Sequence, residues 1–225
     1  MAETPPGEAK IRVKVWDGWV RAGHWCMAGL VGLSWWSAET GRMDLHVTSG
    51  LTLLALVSFR IAWGFAGSET ARFGHFLRSP LAALGHLRHL FRREPDREIG
   101  HNAAGGWMVL ALLLTLLTQA ISGLFADDQI FTQGPLARHV PGAVSDLMTS
   151  IHIRVFNIIL ALVAVHVAVV LLYAFAKGQD LVRPMVLGWK KLPAGTAAPR
   201  FAPLWRGALL LALAALAAWG VGKVG

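Results

Sequence analysis

The sequence predicts an all-α integral membrane protein, in which a four-helix transmembrane bundle is followed by a fifth, C-terminal transmembrane helix. Three observations predict this fold class, and the first is composition. Of the 225 residues 55% are hydrophobic, and the mean hydropathy of +0.51 is too high for a soluble domain of this size. Second, five segments are apolar over the length with which a helix spans, or nearly spans, a bilayer. They are residues 22–38, 45–67, 105–126, 151–176 and 204–222.

The third observation is the placement of the positive charges. Of the 21 lysines and arginines, 16 lie in the N-terminal segment and in the second and fourth connections, which the five spans place on one side of the membrane. The positive-inside rule makes that side cytoplasmic, so the N-terminus is expected in the cytoplasm and the C-terminus outside. The net charge of +8 is therefore interpreted as a sign of topology and of contact with anionic membrane lipid, and not of nucleic-acid binding.

These spans divide the chain into four regions. They are a cytoplasmic N-terminal segment at 1–21, a four-helix core at 22–176, a cytoplasmic connection at 177–203 and the additional transmembrane helix at 204–222. Just before the first span, Asp17 is predicted to cap the first helix, because a side-chain oxygen there can accept a hydrogen bond from a free backbone N–H group.

The fourth span carries two histidines, His152 and His166, fourteen residues apart. In an α-helix this interval is almost four whole turns, so both rings project from nearly the same face, about 21 Å apart along the axis. Neutral imidazole is the usual protein ligand of haem iron. Two such ligands, one near each membrane surface, can hold two haems stacked across a bilayer.

Matching histidines are found on two other spans. His24 lies near the cytoplasmic end of the first helix, at the depth of His166, because the first helix runs outward and the fourth runs inward. His46 begins the second helix on the outer side and lies at the level of His152. An isolated intramembrane histidine can also be a hydrogen-bonded packing residue, and this alternative stays open for His24. Any haem is expected to be of the non-covalent b type, because the single cysteine excludes a CxxCH attachment motif.

Three further residues are candidates for the haem pockets. Gly50 follows His46 by one turn, and its missing side chain leaves room for a flat macrocycle. Arg60, fourteen residues beyond His46, is an arginine inside a span and needs a partner. A haem propionate, a backbone carbonyl and snorkelling to the membrane surface are the alternatives. Arg154, close to His152, is a candidate to neutralise the propionates of the outer haem.

The third helix contributes a rival ligand and a polar stripe. His101 lies at the start of this helix and is an alternative candidate for a ligand of the inner haem. A contact with a haem propionate and a role as helix cap are the other two interpretations of His101. Four polar residues follow at positions i, i+3, i+4 and i+7. They are Thr115, Thr118, Gln119 and Ser122. Such a stripe usually joins helices, and its functional alternative is the lining of a quinone or proton path.

With these residues assembled, the chain resembles the bacterial cytochrome b561 family, which includes the b-type cytochrome subunits of nickel–iron hydrogenases. The resemblance covers roughly residues 11–191. The matching stretches are Val15-Trp16-Asp17, His24-Trp25, His46 with Gly50, Phe59-Arg60, Trp63-Gly64-Phe65, Gly100-His101-Asn102, Gly105-Gly106, His152, His166 and Leu181-Val182-Arg183-Pro184-Met185 with Gly188.

The resemblance implies a bacterial inner-membrane protein whose four helices hold two b haems. Carried onto this chain, His46 and His152 ligate the outer haem, and His24 and His166 ligate the inner one. It further implies transmembrane electron transfer between the quinone pool and a periplasmic partner, such as a cytochrome c or an extrinsic redox subunit. Two other functions are weighed: a superoxide:quinone oxidoreductase acting alone, and a haem-bearing anchor subunit of a hydrogenase- or dehydrogenase-type complex. The sequence leaves open whether the chain is itself an enzyme.

Overall fold

The computed structural model describes residues 9–88, 98–130 and 132–224. The described chain is mostly helical and has two short strands. The helices are α1 (Gly18–Glu39), α2 (Met43–Ala66), α3 (Phe73–Phe76), α4 (Pro80–Arg88), α5 (Ala103–Phe125), α6 (Gly142–Leu172), α7 (Val182–Leu187) and α8 (Leu204–Gly222), and the strands are β1 (Lys10–Lys14) and β2 (Trp189–Pro193). Short 3-10 helices occupy Glu69–Ala71 and Ala137–His139, and a π-helical turn at Tyr173–Lys177 extends α6.

Within the described residues, four helices are long and apolar enough to cross a membrane. They are α2, α5, α6 with its π-helical extension, and α8. These helices coincide with the second to fifth of the predicted spans. The helix α1 lies where the first span is predicted, but it is not sufficiently apolar to be counted with the other four. Its crossing of the membrane therefore stays a prediction.

The helices α1, α2, α5 and α6 share one apolar cluster. Its buried residues are Leu53 and Val57 from α2, Leu113 and Leu116 from α5, and Ile159 from α6. Met27, Leu30 and Val31 of α1 pack against them. The four helices thus meet around a common core, as the side-chain periodicity of apolar helices requires.

The helix α8 comes close to α1 at Gly207 and to α2 at Gly222. A Cβ atom added at Gly207 would overlap the indole of Trp19, and one added at Gly222 would lie 2.8 Å from a methyl carbon of Leu51. Both glycines therefore let the helix backbone approach its neighbours. The opposite face of α8 is exposed, with Leu213 and Trp219 among its large side chains.

The two strands pair antiparallel and close one end of the bundle, which we call the strand end. Arg12 lies opposite Lys191 in this ladder. The inner face of the sheet buries Val13 and Leu192 against the aromatic end of α2, where Phe59 and Trp63 are almost fully buried. The predicted N-terminal segment and the predicted connection 177–203 are thus joined in one unit, although nearly the whole chain separates them in sequence.

The start of α6 differs from the prediction. The helix begins at Gly142, nine residues before the predicted span. Ser145 anchors the extra turns through a hydrogen bond of 2.8 Å from its hydroxyl to the carbonyl of Phe125, and Thr149 donates to the carbonyl of Asp127. With 31 residues the helix is about 46 Å long, so it exceeds the bilayer core of about 30 Å.

Candidate functional site

Two histidine pairs form the candidate site, and we name them after the predicted topology. The ring centroids of His24 on α1 and His166 on α6 are 6.3 Å apart, and these two residues are the inner pair. The centroids of His46 on α2 and His152 on α6 are 6.0 Å apart, and these are the outer pair. The structure therefore brings together the same four histidines that helix direction and depth matched in the sequence.

The inner pair lies close to the capped start of α1. Asp17 is the N-cap, as predicted: one carboxylate oxygen accepts a 2.7 Å hydrogen bond from the backbone N–H of Val20. The other oxygen accepts a 3.0 Å hydrogen bond from the indole N–H of Trp63 on α2. This link fixes the start of α1 relative to α2, and thereby the height of His24 two turns later.

Both histidines of the outer pair are held by backbone carbonyls. The Nδ1 atom of His46 lies 2.9 Å from the carbonyl oxygen of Ser34 on α1. The Nδ1 atom of His152 lies 2.9 Å from the carbonyl oxygen of Gln119 on α5. Because a carbonyl can only accept, each Nδ1 carries the proton, and each Nε2 keeps its lone pair. Histidines that bind metals typically donate the proton of the other ring nitrogen to such a carbonyl.

The spacing of both pairs suits one iron atom between two rings. A metal–nitrogen bond of about 2 Å on each side, together with the radii of two five-membered rings, places the ring centres about 6 Å apart. The measured separations agree with this value. Gly50 has no heavy atom within 4 Å of the place where a Cβ would lie, so there is space beside it. The role predicted for Gly50 stays a prediction.

Gln119 makes a second contact with His152. Its side-chain amide nitrogen lies 3.1 Å from Nε2 of the ring, and its amide oxygen is buried without a hydrogen-bond partner among the described residues. The amide thus donates to the lone pair that a metal would use. A metal can bind there once this flexible side chain rotates, so the ring and its backbone anchor still fit an iron ligand.

Gly123 lies directly against the ring of His152. A Cβ atom at this position would be 2.8 Å from Cε1 and 3.1 Å from Nδ1 of the imidazole. The close packing of α5 and α6 therefore needs glycine at this point. Sequence reasoning missed Gly123 and the carbonyl of Ser34 as parts of the site.

The four polar residues of the stripe on α5 make two kinds of hydrogen bond. Thr115 and Thr118 donate to carbonyls within their own helix. Gln119 and Ser122, in contrast, reach across to His152, with the hydroxyl of Ser122 at 3.4 Å from Nδ1. The part of the stripe at the depth of the outer pair thus joins helices by holding a histidine, which supports the more usual of the two predicted interpretations.

The two arginines predicted in the haem pockets lie in different surroundings. Arg60 is buried on α2, and its guanidinium donates a 3.3 Å hydrogen bond to the carbonyl of Ala71. A backbone carbonyl was one of its three predicted partners, and the propionate contact stays a prediction. Arg154 is exposed. It follows His152 by two residues, about 200° around the helix, so it projects from a different face, and its predicted propionate contact also stays untested.

His101 is packed between two aromatic rings at the strand end. Its ring centroid lies 4.6 Å from that of Trp16 and 4.9 Å from that of Phe76. The helix-cap alternative for His101 is wrong, because the N-cap of α5 is Asn102, whose side-chain oxygen accepts a 2.7 Å hydrogen bond from Gly105. Burial, reinforced by the charges of Arg60 and Lys190, lowers the pKa of His101 to about 3. The ring is therefore neutral at physiological pH.

His101 also lines a cavity of about 490 Å³ at the strand end. His75, Arg78 and His86 contribute to the same lining. A second cavity, of about 910 Å³, lies at the other end of the bundle and is lined by Asp44, Asp127 and Arg138 among others.

A helical membrane bundle that holds pairs of histidines from separate helices at iron-binding distance has the architecture of a membrane-bound b-type cytochrome. The family model described as prokaryotic cytochrome b561 matches residues 15–188, and the chain belongs to that family. The protein is thus a multi-pass membrane cytochrome that transfers electrons across the membrane through b-type haem. The match ends at the close of α7 and leaves α8 outside. Comparison with curated proteins gives no significant match.

Proposed function

We propose that the protein carries electrons across the bacterial inner membrane through two b haems, between the quinone pool and a redox protein at the periplasmic face. His46 and His152 hold the outer haem, and His24 and His166 hold the inner one. The observation that carries this proposal is that α6 contributes one histidine to each of two pairs, whose ring separations are 6.0 Å and 6.3 Å.

The residues around the pairs suit electron transfer better than substrate chemistry. Haem iron held by two histidines takes up and releases single electrons and keeps no open position for oxygen. The chain contributes spacing and exclusion of water. The two histidines of α6 are about 21 Å apart along the helix axis, and the apolar cluster of Leu53, Leu113 and Ile159 lies in the bundle core.

The proposal includes a topology of five crossings. The helix α1 has 22 residues, about 33 Å of rise, which is enough to cross a bilayer. The basic strands β1 and β2 then lie on the cytoplasmic side, and the C-terminus lies in the periplasm. Residues 22–176 form the haem-binding core, and residues 204–222 are an additional crossing.

The outer end of the bundle supports a soluble or extrinsic electron partner. Asp44, Asp127 and Asp146 are at this end, and Asp44 and Asp127 line the larger cavity. Acidic groups favour the approach of a basic partner such as a cytochrome c. Arg138 lines the same cavity, and it keeps its positive charge while its guanidinium donates a 2.9 Å hydrogen bond to the neutral side chain of Gln133.

Haem counting on purified variants tests the ligand assignment. We expect two haems per chain in the wild type and the loss of about one in His152→Ala and in His24→Ala. His75→Ala and His139→Ala are matched controls, because they remove histidines outside both pairs, and they should keep two haems. Unchanged haem content in His152→Ala would overturn the assignment. Reduction of the haems by an added quinol under anaerobic conditions then tests the link to the quinone pool.

A further inference from the structure

We propose that α7 and the β1–β2 ladder form a binding surface for anionic phospholipid at the strand end of the bundle. The apolar face of α7 enters the boundary between lipid headgroups and acyl chains, and exposed cations of the ladder interact with the lipid phosphates. This inference goes beyond electron transfer and does not depend on the haem ligand assignment. It rests on the proposed crossing of the membrane by α1, because α7 is attached to that helix.

The short helix α7 has a defined cap at each end. At its start, a carboxylate oxygen of Asp180 accepts hydrogen bonds from the backbone N–H groups of Val182 and Arg183, at 3.1 Å and 2.9 Å. At its end, Gly188 has a φ of 87° and donates its backbone N–H to the carbonyl of Pro184. Glycine adopts this left-handed conformation without steric cost. The segment is therefore a capped helix and not an irregular connection.

The helix α7 lies beside the first turns of α1. A guanidinium nitrogen of Arg21 donates a 2.6 Å hydrogen bond to the carbonyl of Val186, and the indole N–H of Trp25 donates to the carbonyl of Met185 at 3.4 Å. Trp25 is seven positions after Gly18, the first residue of α1, which is about 10 Å along the helix axis. Tryptophan is enriched where spans leave the bilayer. These contacts place α7 at the side of α1, at the level of the headgroup boundary.

One face of α7 is both apolar and exposed. Val182, Val186 and Leu187 have exposed fractions of 45%, 51% and 49%, and Phe175 in the preceding π-helical turn is 78% exposed. Val182 and Val186 are four positions apart and so lie on the same side of the helix, whereas Pro184 is buried. An exposed apolar face beside a membrane span is typical of a helix that lies in the membrane interface.

The outer face of the β1–β2 ladder is positively charged. Successive side chains of a strand point to opposite faces, and Val13 and Leu192 are buried against the bundle. Their neighbours therefore lie on the outer face. The exposed cations there are Lys10, Arg12, Lys14 and Lys191. Arg12 lies directly opposite Lys191, and like charges in this arrangement destabilise a sheet.

These four cations have no ion pair with an acidic side chain within the described residues. At the same end of the bundle, Glu69 pairs with Arg200 at 3.8 Å, and Asp180 pairs with Arg183 at 3.3 Å. Both carboxylates are thus engaged with cations outside the ladder. The repulsion across the ladder is therefore left without an internal counter-charge, which favours an anionic partner.

Anionic phospholipid matches both parts of this surface. The strand β2 follows α7 directly, so its cations lie next to the lipid boundary, and lysine side chains are long enough to reach towards phosphates. Attraction to anionic headgroups extends over a Debye length, about 8–10 Å at moderate salt. An acidic protein surface would complement the cations, but it would leave the apolar face of α7 exposed. The combination of apolar area and positive charge favours the lipid.

Thermal denaturation of the full-length protein in lipid nanodiscs tests the role of charge. Nanodiscs of phosphatidylcholine alone are compared with nanodiscs that also contain phosphatidylglycerol. We expect phosphatidylglycerol to raise the Tm of the wild type, and added salt to remove most of this gain. Lys191→Gln should reduce the gain. In phosphatidylcholine alone the same change should leave the Tm unchanged or raise it, because it removes the repulsion with Arg12.

The charge-conserving variant Lys191→Arg is the matched control and should keep the gain in Tm. Equal Tm values of the wild type in the two lipids would overturn the proposal. An equal loss of Tm in both lipids for Lys191→Gln would also overturn it, because that result indicates a purely structural role. Inorganic phosphate or polyglutamate, added to phosphatidylcholine nanodiscs at matched ionic strength, should give no gain. A gain as large as that with phosphatidylglycerol would identify free phosphate or an acidic protein as the ligand instead.

Fluorescence quenching by lipids with brominated acyl chains tests the depth of α7. A fluorophore is attached to Val186→Cys in a Cys26→Ala background and, for comparison, to the native Cys26, which is exposed on α1. We expect quenching at both positions. Quenching at Cys26 alone would overturn the placement of α7, and quenching at neither would refute the crossing of α1 as well. These variants remove no histidine, so haem counting tests the electron-transfer proposal separately.

Discussion

Replacement of Gly123 on α5 tests directly how closely this helix packs against His152 of the outer pair. The change Gly123→Ala places a Cβ atom 2.8 Å from Cε1 of His152, whereas ordinary contacts begin at 3.4 Å. The imidazole must therefore retreat from α5 by about 0.6 Å if the helices stay in place. Because Gln119 is on the same helix as Gly123, this movement stretches the 2.9 Å hydrogen bond between Nδ1 and the Gln119 carbonyl towards the limit of such a bond.

The expected change in stability combines two destabilising contributions and one stabilising contribution. Overpacking costs about 1–3 kcal/mol, and the weakened hydrogen bond adds about 1 kcal/mol. The gain in helix propensity from glycine to alanine, about 1 kcal/mol, offsets part of this. The net loss of about 1–3 kcal/mol corresponds to a decrease in Tm of about 2–12 °C for a chain of this size.

The assay compares Gly123→Ala with Gly220→Ala in the same detergent. Gly220 on α8 has no heavy atom within 4 Å of the place where a Cβ would lie, so its replacement should leave the Tm unchanged or slightly higher. We expect Gly123→Ala alone to lower the Tm and to lose outer haem. A Gly123→Ala protein with unchanged Tm and haem content would refute the close packing against His152.

Three smaller perturbations test the surroundings of the site. Asp17→Ala removes the N-cap of α1 and should lower stability by about 1–2 kcal/mol, measured by thermal denaturation in detergent; an unchanged Tm would contradict the capping role. Gly207→Val should lower the Tm, because the added side chain overlaps the indole of Trp19, whereas Gly220→Val should have little effect; equal effects would contradict the close approach of α8. The folded-state pKa of His101, about 3, lies below the unfolded value of about 6.5. The stability that its neutral ring contributes is therefore present above pH 6.5 and lost as the pH falls towards 3. On acidification the Tm of His101→Gln should therefore decrease less than the Tm of the wild type.

The helical period predicted much of the site. The interval of fourteen positions from His152 to His166 places both rings on one face of the helix, independently of the rest of the fold. The opposite directions of neighbouring helices then match His24 and His46 to them in depth. The structure brings these four residues into two pairs. Their role as iron ligands stays the prediction that haem counting tests.

Some local signals in the sequence already favour what the structure shows. Asn102 follows His101 directly and is the better capping residue, and it is the N-cap of α5 in the structure. Arg154 is two residues from His152, and the helical period alone places it on another face. Gln119 and Ser122 are polar residues in an apolar helix, which is the signal that pointed to their contact with another helix.

Hydrophobic composition and helical periodicity are local properties, so the sequence by itself determined the membrane class of the protein, the approximate positions of its long helices and which histidines share a helix face. Only the tertiary structure decided the pairing of β1 with β2, the carbonyls of Ser34 and Gln119 that hold the outer rings, and the need for glycine at position 123. These features depend on how each helix is rotated about its axis and on contacts between residues far apart in the chain. No local pattern encodes them, because they arise only when the helices have packed.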